Sequence, residues 1–173
     1  MQHRLLRLAG KVLRIGLAAV MLGGPPAWGA TFSGVVVAVA DGDTITVLDE
    51  DRHQLHVRLA GIDAPEKRQP FGSKSREHLA ALAFRQRAIV DFRKRDRYGR
   101  IVGRVTVDGR DLGLAQIEAG MAWHYKQFQT EQSVNDRKSY AEAELQARSA
   151  RFGLWVDETP QPPWEFRARM KVH

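Results

Sequence analysis

The sequence predicts an α+β fold: a small, mainly β, closed barrel of five strands, with helices set between and after them. Three observations carry this expectation. Apolar and polar residues alternate with period two in short runs between Phe32 and Leu59, and β-branched runs return between Ala88 and Val107. One helical stretch interrupts the strands before the fourth. From Leu112 onward helical spacing dominates, which is too much helix for a β-sandwich.

The elements follow in order. Val35-Val36-Val37-Ala38-Val39 is a β-branched run stopped by Asp41-Gly42, a turn signal. Ile45 and Val47 alternate with Thr44 and Thr46 in a second strand, and Leu55, Val57 and Leu59 alternate with His56 and Arg58 in a third. Period two sets Arg58 on the face opposite those apolar residues. Pro65 ends the ladder. Phe71 to Gln86 reads as a helix with Ser75, Leu79, Leu82 and Gln86 along one side and Ser73 as its cap. Ala88 to Phe92 and Ile101 to Val107 are the last two strands, joined by a charged turn at Tyr98-Gly99. Leu112 to Glu118 is a short helix closed by Gly120. Val134 to Arg151 is the longest helix, with Val134, Ala141 and Leu145 at helical spacing and Gly153 beyond its end. Residues 157–173 read as a proline-rich, basic tail lying on the surface or loose. The arrangement fits the five-stranded oligonucleotide-binding barrel.

The first thirty residues stand apart. Arg4, Arg7, Lys11 and Arg14 precede the apolar run Ile15-Gly16-Leu17-Ala18-Ala19-Val20-Met21-Leu22, and Ala27-Trp28-Gly29-Ala30 follows with small residues. That order is a secretory signal peptide, assigned here to residues 1–30. A cut after Gly29 sets small residues at both key positions, Ala27 and Gly29. A membrane span needs about 20 apolar residues, far more than this run holds, although an uncleaved signal would anchor the protein. Of the formal charge of +7, four positive charges lie in the signal, leaving +3 for residues 31–173. Residues 31–156 are long enough for one domain with one core. With no cysteine, the chain has neither disulfides nor thiol chemistry.

Three charged motifs carry the chemistry: Asp41-Gly42-Asp43-Thr44, Arg58-Leu59-Ala60-Gly61-Ile62-Asp63-Ala64-Pro65-Glu66, and Asp96-Arg97-Tyr98-Gly99-Arg100. Asp41-Gly42 is explained by a turn alone. Asp43 is a second acid beside the first, which repels unless a cation lies near, and Asp63 ends the third strand where it could reach Asp43. Two carboxylates with a main-chain carbonyl and waters would seat calcium (Ca2+), which takes oxygen ligands. Glu66 is either a solvated loop acid or a base that polarises water for attack at phosphorus. Arg58 and Arg100 are either surface charge or planar cations matched to the equatorial oxygens of a phosphoryl transition state. Arg93, Lys94, Arg95, Arg97 and Arg104 make the last hairpin the most basic region, a candidate groove for a phosphate backbone. The histidines show no metal spacing.

The three motifs in this order resemble the staphylococcal (micrococcal) nuclease family, the thermonucleases. The resemblance spans Phe32 to Trp155. Gly153-Leu154-Trp155 looks like the family's ending, and Pro163-Trp164-Glu165-Phe166-Arg167 is similar to the tail of exported bacterial members. It implies an oligonucleotide-binding barrel with three helices and a calcium-dependent endonuclease that cleaves DNA and RNA and leaves 3′-phosphates. Asp43, Asp63 and the Ala64 carbonyl would hold the metal. Glu66 would activate or orient water, and Arg58 and Arg100 would hold the scissile phosphate, Arg100 also aiding the leaving oxygen. Ala64 stands where the archetype has threonine, so a main-chain ligand survives there and a hydroxyl contact does not. The loop after Glu66 is shorter than the archetype's, which alters substrate contacts there. Tyr98 and Tyr125 would stack bases or meet a terminal phosphate, while Trp123 reads as core. The expected partner is DNA or RNA, single-stranded or locally melted, with a monomer as the default and no obligate protein partner. The rival reading is a non-catalytic nucleic-acid-binding barrel, a module that lacks the acids this chain retains.

Overall fold

The β-branched runs form the barrel because branched side chains suit a pleated, half-buried surface. A computed structural model describes residues 29–170; the predicted signal peptide, apart from Gly29 and Ala30, lies outside the described residues. Strand β1 (Ala30–Val39) pairs antiparallel with β2 (Thr44–Asp49), and β2 with β3 (Gln54–Leu59). A two-residue strand, β4 (Ile62–Asp63), follows. Helix α1 (Gly72–Ala83) comes before β5 (Arg87–Arg95) and β6 (Ile101–Val107), as expected. β5 pairs with both β1 and β6. β6 then runs parallel to β3 through Val57–Ile101, Arg58–Val102 and Leu59–Gly103, which closes the five-stranded barrel. Closure removes the unpaired edges of an open sheet.

Val36, Ile45, Val47, Val57, Leu59, Val90, Ile101 and Val105 fill the interior, all essentially without solvent contact. After the short strand β7 (Arg110–Asp111), helix α2 (Leu112–Glu118) adds Leu112 and Ile117 to the same core, and α1 adds Leu79 and Ala83. The predicted cap of α1 is corrected: Ser73 lies inside the helix, whose start is Phe71 in a left-handed conformation with no side-chain cap. Gly72 lies against the main-chain carbonyl of Glu66, where a Cβ would collide.

Strand β8 (Trp123–His124) pairs with β4 in a separate small sheet, and α3 (Val134–Ser149) follows, capped by Ser133. The expected apolar stripe on α3 is corrected as well. Val134 and Leu145 are 75% and 65% exposed, and the buried side is Tyr140, Ala143, Glu144 and Ala147. Small residues let α3 approach closely, Tyr140 and Ala143 join the main core beside Leu112 and Ile117, and a polar cluster adds to that hold. Asp111 accepts hydrogen bonds from the amides of Gly113 and Leu114, from the Tyr140 hydroxyl at 2.9 Å, and from Arg104 Nε at 2.8 Å. Burial and the Asp111 charge push the Tyr140 phenol well above its ordinary value, so it stays a donor.

Asp111→Ala should therefore lower unfolding free energy by about 2–4 kcal/mol, a lost cap together with buried donors left without a partner. A urea melt showing a loss under about 1 kcal/mol would mean that water replaces the carboxylate.

The tail, read as lying on the surface or loose, is ordered: Pro163–Met170 form helix α4, with Pro163 buried. Proline at a helix start loses no needed donor and fixes φ. Trp164 stacks on Tyr125 at 5.4 Å and 14°, and meets Trp123 edge-on at 5.6 Å. The two tryptophans, with Ala147, Leu154, Trp155 and Phe71, make a second small core. Among the described residues, no helix is long and apolar enough to cross a membrane.

Candidate active site

The β2–β3 ladder sets Thr44 opposite Arg58, and so brings the Asp41–Thr44 turn beside the end of β3. Gly42 packs so closely on α1 that a Cβ there would run into the Ser75 side chain. Buried Gln116 fixes the same turn by donating to the Gly42 carbonyl at 2.6 Å. The Asp-Gly pair is thus more than a turn former. Its glycine seats the turn on the helix, and the Asp41 carboxylate accepts the Asp43 amide at 3.0 Å.

Arg58 lies between the two buried acids. Its Nη2 is 2.8 Å from Asp63 Oδ1 and 3.3 Å from Asp43 Oδ2, and its Nη1 donates to the Ile62 carbonyl at 3.1 Å. Burial alone would lower the Arg58 pKa, but Asp43 and Asp63 outweigh it and raise it. The Ala64 amide donates to Asp43 Oδ2 at 3.1 Å, and the Thr44 hydroxyl to Asp43 Oδ1 at 2.9 Å. Thr44 Oγ1 in turn accepts from Arg100 Nη1 at 3.3 Å, which links the second predicted arginine to the acids. Arg100 is held from behind by Asp96, with Nε to Oδ2 at 2.8 Å. Burial first, then the neighbouring Asp43, pushes the Asp41 carboxyl up to about 6. Asp63 is raised too, by burial and by Asp43, against the pull of Arg167 and Arg58.

Asp43, Asp63, Ala64, Arg58 and Arg100 therefore converge at one end of the barrel. Glu66 joins them through Arg167, which the sequence placed in the tail motif without a role at the site. Arg167 Nη1, from α4, bridges Glu66 Oε1 at 2.7 Å and Asp63 Oδ1 at 3.1 Å, and its Nη2 takes Asp63 Oδ2 at 2.8 Å. The spacing from Trp164 to Arg167 puts both on one helix face, a signal that could have tied the arginine to the aromatics.

A model described as staphylococcal nuclease homologue matches residues 56–157. The chain is 43% identical to a micrococcal nuclease of Shigella flexneri over 166 residues, 91% of this chain and 92% of that protein. It is 40% identical to an uncharacterized endonuclease of Escherichia coli over 141 residues, 81% of this chain and 88% of the relative. With one from Haemophilus influenzae it shares 36% over 138 residues, 80% of this chain and 74% of the relative. The chain belongs to the staphylococcal nuclease family. It is a hydrolytic nuclease, and nucleic acid is its substrate class.

In this nuclease Tyr98 is 68% exposed, with the guanidinium groups of Arg97 and Arg100 at 4.8 and 5.6 Å from its ring. Tyr125 is half-buried; Trp164 covers one face, and Arg58 Cζ is 5.9 Å from its ring centroid. Trp123 is buried, as read from the sequence. Arg93, Lys94, Arg95 and Arg97 are exposed along the β5–β6 hairpin next to Arg100. Arg104 does not join them. It is tied to Asp111 and Asp136, because period two on β6 directs it toward α2 and α3.

Crowded, buried carboxylates with oxygen as the only donor type suit a hard divalent cation, and Asp43 with Asp63 could supply its ligands. A further acidic group, Asp49, Asp51 and His53, could hold a metal by geometry. It lies at the β2–β3 turn, where the Asp49 carboxylate accepts the His53 amide at 2.7 Å and so has a structural task already.

Proposed function

We propose that the protein is an exported, calcium-dependent, sugar-nonspecific endonuclease that hydrolyses DNA and RNA and leaves 3′-phosphates. The observation that carries this reading is the convergence of Asp43, Asp63, Arg58 and Arg100 at one end of the barrel, with Glu66 at the edge of the same cluster. Calcium held by Asp43, Asp63 and the Ala64 carbonyl would supply Lewis-acid polarisation of the scissile phosphate. The basic β5–β6 hairpin holds the flanking phosphates, and the preference is for single-stranded or locally melted substrate. Arg58 and Arg100 grip the non-bridging oxygens, whose charge grows as phosphorus becomes five-coordinate. Glu66 takes a proton from the attacking water. The new P–O bond forms as the P–O5′ bond breaks, so the phosphate stays on the 3′-oxygen. The 5′-oxygen departs beside Arg100 as a hydroxyl, taking its proton from solvent water. Tyr98 and Tyr125 are the side chains on which bases stack. Export rests on the basic, apolar and small-residue order of residues 1–30. The protein acts as a monomer, with membrane attachment only where the signal is kept.

Hydrolysis of single-stranded DNA should appear with calcium and vanish when a chelator is added. Tight binding without cleavage under any divalent ion would instead favour a barrel that only binds. Activity that persists in chelator would remove the metal from the mechanism.

A further inference from the structure

We propose that Arg167 is a third arginine of the active centre, a positioning residue that acts through Asp63 as the resident counter-ion of the acid pair and competes with the divalent cation for it. This rests on the reading of Asp43 and Asp63 as the cation's ligands.

The geometry of Asp63 sets the competition. Its carboxylate is 1% exposed, and both oxygens are engaged, Oδ1 by Arg58 and Arg167 and Oδ2 by Arg167 alone. A cation coordinating Asp63 finds one unengaged lone pair, on Oδ2, and must bring its charge up against the Arg167 guanidinium that holds the other. Arg58 is the poor candidate to yield, because it is 15% exposed and also donates to the Leu59 and Ile62 carbonyls. Arg167 is 38% exposed, and its guanidinium bonds are to Asp63 and Glu66. When it yields at Asp63 it still has Glu66 as a partner.

The helix that carries Arg167 is docked by specific contacts. Trp164 stacks on Tyr125 and meets Trp123, Pro163 is buried, and Gln69 Nε2 donates to the Gln161 carbonyl while its Oε1 accepts the Glu66 amide at 3.1 Å. The same glutamine therefore ties the Glu66 loop to the segment leading into α4. Arginine suits the position because its planar fork reaches both Asp63 oxygens and Glu66 at once, which a lysine ammonium does poorly. In the metal-free protein Arg167 offsets the repulsion among Asp41, Asp43, Asp63 and Glu66. Since guanidinium and metal repel each other across one carboxylate, each weakens the other at Asp63 by the same factor.

The test is calorimetric titration of the full chain with calcium, paired with melting temperatures with and without calcium. Arg167→Gln should bind calcium at least about fivefold more tightly, within the usual range of coupling between sites. It should melt lower than wild type without calcium and gain more from its addition, since stabilisation grows with ligand affinity. A merely structural arginine would lower both melting temperatures alike. Trp164→Ala, which undocks α4 without touching the acids, should tighten calcium binding in the same direction, and Arg167→Lys should lie between wild type and Arg167→Gln. Calcium binding by Arg167→Gln that is unchanged or weaker overturns the proposal. Asp43→Asn separates the two readings. If it abolishes calcium binding while Arg167→Gln changes nothing, only the role of Arg167 fails. If it binds calcium like wild type, the metal assignment fails and the proposal with it.

Discussion

Glu66→Gln should lower kcat for DNA hydrolysis by about 10²–10⁴-fold, the usual contribution of a general base, with KM and melting temperature close to wild type. The substitution keeps the shape and an acceptor oxygen, and removes the negative charge and with it the ability to take a proton from water. It is also safe for the fold. The Glu66 side chain is 37% exposed, and its ion pair is with Arg167, itself 38% exposed. A pair that open to solvent contributes about 0–1 kcal/mol. The Glu66 amide, which Gln69 accepts, is untouched by the change. Steady-state kinetics at saturating calcium decide the matter. A fall in kcat of less than about tenfold would mean that water is activated elsewhere and Glu66 is a loop acid after all.

The barrel was legible because period two is a local signal. Val57 and Leu59 face inward and Arg58 does not, and that alternation is written in six consecutive residues. The meeting of Asp43, Asp63 and Arg58 was also within reach, since a hairpin register that pairs Thr44 with Arg58 follows from the strand lengths. What escaped has physical causes of two kinds. Strands β4 and β8 are two residues each, too short for any periodicity to exist. The stripe on α3 misled because its buried side is built from Ala143, Ala147, Tyr140 and a paired Glu144, while Val134 and Leu145 face water. Hydrophobicity alone ranks those residues the wrong way round. The tail escaped for the other reason. Proline and charge between Pro160 and Arg169 have the composition of a loose segment, and the contacts that dock it reach far back along the chain, Arg167 to Asp63 across 104 residues. No local spacing encodes them. Arg104 shows the converse: a charge in a basic run whose partners, Asp111 and Asp136, are set by tertiary packing.

Replacing the two predicted phosphate arginines should separate catalysis from stability. Arg100→Ala should lower kcat by about 10²–10³-fold, the cost of removing one preorganised donor from the developing charge. Its stability should change by less than about 1 kcal/mol, because Asp96, its partner, is 18% exposed and also accepts the Tyr98 and Arg100 amides. Arg58→Ala should show a similar kinetic loss and, in addition, lose about 3–5 kcal/mol of unfolding free energy, as expected when one partner of a buried charge cluster is removed. The difference lies in what is left behind. Asp43 and Asp63 would face each other with only Arg167 to offset them, at 9% and 1% side-chain exposure. A divalent cation on those acids would supply the missing charge, so calcium should restore much of the stability of Arg58→Ala while leaving its kcat low. Equal melting temperatures for the two variants without calcium would mean that Arg58 does not hold the acids together, and would assign it to the substrate alone.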